Sequence, residues 1–508
     1  MGYQELSFKL PTDYTEEQLQ QKIGKKLRLK QFSWQIDHKS LDARDKSNIH
    51  WQVRVGVFSA EIKVNAAPSG SELNIPFKKR NKKILIVGSG PAGFFCAFVL
   101  QKAGFQTTII ERGKDVKQRT AAIKNFETNA VFEPAGNYAF GEGGAGTFSD
   151  GKLTARSKHL TLEKKFIIDC YIEAGAPQEI AYLAHPHLGS DNLKNLVRKL
   201  RDKYQQLGGT ILFETTLLDL KILKGRVLEI VTNNETLAAD YFVIAPGHSA
   251  YDTFRLLMKK GVAFQTKNFA IGSRVEHPQT LINRAQFGTE HLPGVTAAEY
   301  RLTANIKGNL PVYTFCMCPG GVIVPSTAFE GSNIVNGMSN FKRSGFYANA
   351  ACVAAVNPDT LLTKKVTAAE ALDWLQRLEE KFYTSAKGYK APACSITNFI
   401  NKTGTDLQSG SSYPLGLFPA PLWELLPTVV SDSLREGLKD FSRKVKGFET
   451  GLIMGLESKT SSPVQVLRDD SMLCAGFTNL YMVGEGSGYS GGIISSAADG
   501  IKAALRII

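Results

Sequence analysis

No stretch of this sequence reaches the roughly eighteen unbroken apolar residues of a membrane-spanning helix, so no membrane span is expected. The first residues, Met1-Gly2-Tyr3-Gln4-Glu5, lack the charged and apolar regions of a signal peptide. Gly2 invites a myristoylation reading, but Leu6 stands where that motif needs Ser or Thr. Cysteine is scarce: seven in 508 residues, an odd number and mostly scattered. That excludes a disulfide scaffold and points to reduced thiols in a cytoplasmic protein. No internal repeat is visible, which excludes a solenoid. What remains is a long chain, 43% hydrophobic, enough for more than one buried core and hence more than one domain.

What the chain does contain is a glycine-marked unit between residues 84 and 112. Ile84-Leu85-Ile86-Val87 is a short continuous apolar run, typical of a strand buried on both faces. Gly88-Ser89-Gly90-Pro91-Ala92-Gly93 follows as G-x-G-x-x-G, then a helix over Phe94 to Lys102 and a second strand, Thr107 to Ile110. That strand ends in Glu111-Arg112, with Glu111 18 residues beyond Gly93. Strand, glycine turn, helix, strand and acid make a dinucleotide-binding βαβ unit. Gly88 permits the tight turn, Gly90 lets backbone approach a pyrophosphate, and Gly93 lets the helix pack close to the sheet. Free N–H groups at the helix start, with its dipole, hold phosphate charge. Glu111 is placed to accept hydrogen bonds from ribose hydroxyls. The unit by itself suits NAD or FAD.

Two further glycine segments bear on that choice. Asn479 to Val483 is expected as another buried strand, running into Gly484-Glu485-Gly486-Ser487-Gly488 and then Gly491-Gly492-Ile493, with a small-residue helix over Ser495 to Leu505. Between the two lies Gly141-Glu142-Gly143-Gly144-Ala145-Gly146-Thr147-Phe148-Ser149-Asp150-Gly151-Lys152-Leu153. So many glycines cannot be the interior of a strand or helix. They suggest backbone lying against a flat ligand; a surface loop is the competing reading.

With these segments, and with His187–Asp191, Gly272–Pro278, Phe315–Gly321, Glu457–Pro463 and Gly484–Gly500, nearly the whole chain resembles the uncharacterised FAD-dependent dehydrogenases of the glutathione reductase superfamily. The resemblance implies FAD, bound in a three-layer α/β, Rossmann-like domain. It implies that the late segment passes under the flavin, with Glu485 on the ribityl chain and the helix start at Gly491, Gly492 and Ile493 facing the pyrimidine end of the ring. The implied cofactor residues are Gly88, Ser89, Gly90, Pro91, Ala92, Gly93, Glu111, Arg112, Gly143, Gly144, Thr147, Phe148, Asp150, Gly151, Gly247, Gly484, Glu485, Gly491, Gly492 and Ile493. At Ala245-Pro246-Gly247 the chain departs from the usual Ala-Thr-Gly, and proline removes a backbone donor there. The disulfide reductase branch is disfavoured twice, because neither a second strand–GxGxxG–helix nor a C-X-X-C exists.

The expected organisation is a small basic βαββ domain over 1–80, the first part of the FAD-binding domain over 81–265, an inserted α+β substrate domain over 266–445 and the rest of the FAD domain over 446–508. In the first, Glu5–Leu10, Thr15–Leu29, Ser33–Asp37 and His50–Phe58 are the expected elements. Ala66–Ser71 and the basic run Lys78-Lys79-Arg80 mark a linker. Half of the net charge of +14 falls before residue 84. That permits a nucleic-acid or acidic-protein partner; a solvated basic surface is the blander reading. In the FAD domain, Ser190-Asp191 is the expected cap of a helix to Gln206. Ile211–Leu223, Arg226–Thr232 and Tyr241–Ala245 are the expected meander and closing strand. In the insert, strands are expected at Gly272–Glu276, Val312–Cys316 and Gly321–Pro325, with helices at Asn349–Val356 and Ala368–Phe382.

For the chemistry, Arg274 and His277 are the candidates to bind an anionic substrate and move a proton, against a structural histidine in an interdomain turn. Cys318, two residues from Cys316, is a redox candidate, because strand residues two apart share a side; plain core is the alternative. His185 and His187 have metal-ligand spacing but no clear third ligand, so no metal is expected. The resulting expectation is an FAD-dependent oxidoreductase acting on a small-molecule substrate, with NAD(P)H as a candidate transient electron donor. The alternative is a flavoprotein that binds or modifies RNA through its basic N-terminal domain.

Overall fold

Continuous apolar runs, rather than alternating ones, imply strands covered on both faces. In the computed structural model, which describes residues 2–63, 72–155, 159–407 and 410–508, Lys83–Val87 is the middle of a five-stranded sheet. The order is Leu480–Met482, Tyr241–Ile244, Lys83–Val87, Gln106–Ile110 and Thr210–Leu212, every neighbouring pair parallel. The helix Pro91–Lys102 is buried along most of its length. It packs on the terminal helix Ile493–Ile507 at Gly500, where a Cβ would stand 2.0 Å from Ala92 O. Only glycine admits that approach. This is the three-layer, Rossmann-like α/β domain expected.

The stretch expected as one strand from Ile211 to Leu223 is two. Thr210–Leu212 closes the parallel sheet, and Leu217–Leu223 opens an antiparallel meander with Arg226–Thr232 and Thr236–Ala238. Glu214, with φ +50°, makes the break. The helix Gly189–Gln206 starts before its expected cap, with Ser190 and Asp191 inside its first turn. Asp191 instead accepts a bond from Phe341 N (2.8 Å), tying this helix to the inserted domain.

The second sheet runs Thr303–Ala304, Val312–Pro325, Tyr347–Val356, Phe269–Pro278, Leu452–Glu457, Ala391–Ser395 and Leu417–Pro419, with Val335–Ser339 also paired to Val312–Pro325. Asn349–Val356 is therefore not a helix. Alanine favours helix in isolation, but Tyr347–Val356 pairs with strands on both sides and is buried almost throughout. Its small side chains share a core with residues of the helices Ala368–Ser385 and Thr428–Lys444. Burial and two ladders outweigh propensity here. Leu452–Glu457 pairs with Phe269–Pro278 and Ala391–Ser395, so this sheet extends beyond residue 446.

At the N-terminus, Gly2–Leu10, His50–Ser59 and Ser33–Asp42 form a sheet in that order, with the helix Glu16–Leu27 packed across it. Thr15 and Gln18 form a capping box at the start of this helix. The helix stops short of the expected Leu29 because Arg28 is left-handed. Main-chain bonds from Lys39 N to Tyr182 O (2.8 Å) and from Ala184 N to Lys39 O (2.9 Å) dock the domain. The linker expected at Ala66–Ser71 lies outside the described residues. Among the described residues, no helix is long and apolar enough to cross a membrane.

Candidate active site

The three glycine segments converge. Gly88, at φ +101°, donates from N–H to Ile110 O (2.8 Å), which closes the first turn. Gly90 caps the helix Pro91–Lys102 with no side-chain bond, and Gly492 does the same for Ile493–Ile507, so both helix starts keep free backbone donors. Residues 141–146 lie against both starts: a Cβ at Gly144 would stand 3.1 Å from Gly90 Cα, and one at Gly146 3.1 Å from Ile493 Cγ1. Gly143, Gly144 and Gly151 all have positive φ. Pro246 and Gly247 sit against Gly486 of the late loop, so this departure from the usual motif is accommodated by glycine.

Glu111 is buried and fully engaged. One oxygen accepts from Ser89 N (2.9 Å) and Ser89 Oγ (2.8 Å), the other from Gly113 N (2.9 Å) and Gly141 N (3.0 Å). Four bonds fill the acceptor sites of a carboxylate, so this acid knits the first two glycine segments together. Arg112 forms a bidentate pair with Asp252 and lies over Phe140. Thr147 bonds to Glu142 O, and Phe148 turns into a small core with Ile123, Tyr138 and Val324. Arg119 is the unforeseen organiser. Fully buried, its guanidinium gathers the carbonyls of Asn137, Tyr138, Gly141, Glu142 and Gly144. In the late loop, Glu485 pairs with His248 Nδ1 at 3.1 Å. Asp499 takes a bond from Gly484 N (2.8 Å) and a bidentate pair from Arg468.

Beyond the third glycine segment the surroundings become charged. Asp150 is buried and accepts from Arg343 (2.7 and 3.2 Å) and from Ser339. Burial opposes its charge, but Lys152 and Arg343 prevail and hold it down at about 2. Lys152 bonds to Met317 O on the inserted sheet. On that sheet Arg274 is fully buried, bonded to Glu457 (2.8 Å), Asn336 (2.7 Å), Asn349 (2.8 Å) and Cys316 O (2.5 Å). Gly337 makes the room: a Cβ there would stand 2.7 Å from the guanidinium carbon. Burial raises the Glu457 carboxyl to about 7, against the pull of Arg274.

Arg274 and His277 are not brought together. Three residues apart on one strand, they face opposite sides of the sheet. His277 is fully buried, with Nε2 2.7 Å from Phe448 O and its ring 4.4 Å from that of Phe448. Burial lowers it to about 4. Cys318 is fully buried, and Cys316 is the partly exposed residue of the two. His185 binds Glu299 (2.8 Å), whereas His187 binds Phe341 O (2.9 Å). Sequence reasoning also missed Lys152, Arg343, Glu457 and the buried group of Tyr251, Glu379 and Lys459, in which lysine and tyrosine both donate to one carboxylate oxygen. Lys152, Glu457 and Lys459 lay inside the segments that carry the resemblance; Arg119 and Arg343 left no local signal.

Residues 268–460 match the family model for the C-terminal domain of FAD-dependent proteins, and 82–277 match the pyridine nucleotide-disulphide oxidoreductase model. Residues 3–58 match a domain of unknown function. An uncharacterized protein of Clostridium beijerinckii is 37% identical, covering 96% of this chain and 95% of its own. The chain belongs to the family of that clostridial protein. It is a family of FAD-dependent oxidoreductases, and its cofactor is FAD. Among solved structures, CtdE in complex with FAD is similar at 12% identity and TM-score 0.34, covering 84% of each chain. A geranylgeranyl bacteriochlorophyll reductase-like protein from Thermoplasma acidophilum is similar at 13% identity and TM-score 0.37, covering 84% of this chain and 78% of that one. Both are too distant to carry an argument.

The residues of this family member fit such a cofactor. Two helix starts without side-chain caps follow parallel strands of one sheet, Lys83–Val87 and Leu480–Met482, with Tyr241–Ile244 between them, and their free N–H groups suit an anionic diphosphate. Beside them a Cβ on Gly247 or Gly492 would meet nothing within 4 Å, so open space adjoins the loops. His248 Nε2, buried and without a partner, is a spare polar group next to Glu485.

Proposed function

We propose that this protein is a dehydrogenase or reductase of the glutathione reductase superfamily, transforming a carbon centre of a small molecule between the flavin domain and the inserted sheet. The observation that carries this reading is the segment 141–152. Its glycines lie against both helix starts, and its Asp150 and Lys152 bond to Arg343 and to Met317 O of the inserted domain. When bound, FAD supplies two-electron chemistry.

The backbone of Gly88–Gly93 holds the diphosphate. Glu111 orders the first two glycine segments and receives a ribose hydroxyl by exchanging it for the Ser89 hydroxyl. Gly143, Gly144, Gly151 and Gly247 present bare backbone to the flat ring. Glu485, paired with His248, would hold the ribityl chain, and the free N–H groups at the helix start of Gly491, Gly492 and Ile493 would stabilise negative charge on the reduced ring. Arg274 and Lys152 make the pocket attractive to an anionic substrate group. Glu457 holds or releases the proton, because its carboxyl titrates near neutrality. His277 is held by Phe448 O on the other side of the sheet and takes a structural role.

The test is anaerobic rapid mixing of the FAD-loaded protein with NADH or NADPH, followed at the oxidised flavin band near about 450 nm. Fast bleaching with either identifies a nicotinamide as donor; bleaching only with an organic substrate identifies a dehydrogenase. Failure to bind stoichiometric FAD overturns the reading.

A further inference from the structure

Cys316 and Cys318 lie where the strand Val312–Pro325 twice slips its register against Tyr347–Val356, between Phe315 and Cys318 and again between Cys318 and Gly321. Cys316 has φ +43°, a left-handed backbone that is strained for a non-glycine residue and persists only when neighbours enforce it. They do: Arg274 donates to Cys316 O (2.5 Å) and Lys152 to Met317 O. The Cys318 thiol donates to Cys316 O at 3.3 Å, and Arg274 Nη2 lies 3.9 Å from the Cys318 sulfur. Cys316 is partly exposed, whereas Cys318 and the other five cysteines are buried.

The charges around the pair are asymmetric. Lys152 and Asp150 face it from the glycine segment, Arg274 from the strand Phe269–Pro278 and Glu457 from Leu452–Glu457. The Cys318 hydrogen bond lowers the Cys316 thiol most; burial opposes this, Lys152 and Arg274 lower it further, and Asp150 pulls the other way. The balance favours a thiolate at Cys316 and a protonated thiol at Cys318. A thiolate beside a thiol, the first on a partly exposed residue and the second on a fully buried one, is the arrangement of an attacking and a resolving sulfur.

We propose that Cys316 and Cys318 form a dithiol exchange site, in which Cys316 attacks a small organic disulfide and Cys318 resolves the adduct. In the first step the Cys316 sulfur bonds to one sulfur of the disulfide, whose S–S bond breaks and releases one thiolate. In the second, Cys318 loses its proton to that thiolate and attacks the Cys316 sulfur. A Cys316–Cys318 disulfide forms and the second thiolate leaves, taking up the proton lost from Cys316. The protein dithiol is oxidised by two electrons, and one disulfide becomes two thiols. Neither step needs the flavin, so this site stands independently of the reading above.

The experiment uses the reduced full-length protein and oxidised glutathione, followed by alkylation and peptide mass measurement. The peptide carrying both cysteines is expected to lose two hydrogens and resist alkylation. C318S is expected to stop at a glutathione adduct on Cys316, and C316S to give neither product. In the unsubstituted protein, which guards against a variant that misfolds, Cys316 is expected to alkylate about tenfold faster than glutathione at about pH 6. An unchanged, fully alkylated peptide after oxidised glutathione, or Cys316 alkylation no faster than glutathione, overturns the proposal.

Discussion

The two large domains prepare the region where they meet in opposite ways. The dinucleotide-binding domain works by omission: Gly88, Gly90, Gly93, Gly144 and Gly492 remove side chains so that backbone comes close to backbone or leaves open space. The inserted sheet works by addition, placing Arg274, Glu457, Asn336 and Asn349 in its interior and satisfying each guanidinium nitrogen. Omission fixes shape, and shape suits a large flat cofactor common to many chemistries. Buried charge fixes polarity, which discriminates among substrates. The segment 141–152 joins the two, bare glycine at one end and Asp150 and Lys152 at the other.

Four substitutions break or sharpen this contrast. The largest effect belongs to the charged half. R274M leaves Glu457 buried without its partner, and loss of one member of a buried pair costs about 3–5 kcal/mol. Denaturant unfolding checks this, and FAD binding in the folded fraction is expected to persist. Next comes H277Q. The unfolded imidazole takes a proton below about 6.5, but the folded one does so only below about 4. The contribution of His277 is therefore present above pH 6.5 and is lost as pH falls towards 4, by about 3 kcal/mol. H277Q is expected to flatten that acid limb in unfolding measured across pH, with turnover intact. A pH profile of turnover displaced by H277Q sinks the view that the residue is structural.

In the glycine half, G93A puts a Cβ 2.0 Å from Gly88 O. Overpacking of this kind costs about 1–3 kcal/mol, and because it distorts the phosphate turn it is expected to weaken FAD about tenfold or more, read by flavin fluorescence titration. The control is K402A, which removes an exposed pair with Asp432. It is expected to change stability by less than about 0.5 kcal/mol.

How much of this was legible follows the same divide. Gly88 to Gly93, Glu111 and the late segment 484–493 declared themselves because a phosphate turn dictates residue type at fixed spacing. The N-terminal βαββ unit was readable because its periodicities are simple and its helix carries a capping box. The inserted domain was less so. Alanine-rich Asn349–Val356 was expected as a helix because propensity is local, whereas the two flanking strands that hold Tyr347–Val356 extended come from residues 269–278 and 312–325. Arg343 meets Asp150 across 193 residues and Arg274 meets Glu457 across 183, and no spacing rule reaches that far.

The sequence by itself determined the dinucleotide-binding unit, the existence of a second glycine-led helix start at the far end of the chain, and the compact N-terminal domain. Each follows from residue type over a few positions. Only the tertiary structure decided that Arg274 is paired with Glu457 while His277 is enclosed against Phe448, that Glu111 is occupied by donors of the glycine segments, and that Cys316 rather than Cys318 is the partly exposed residue. Those outcomes depend on which distant strand lies alongside and which side of the sheet a charge enters, and the physical reason is register: one residue of slip, as at Cys316, exchanges the face that is buried for the face that is open.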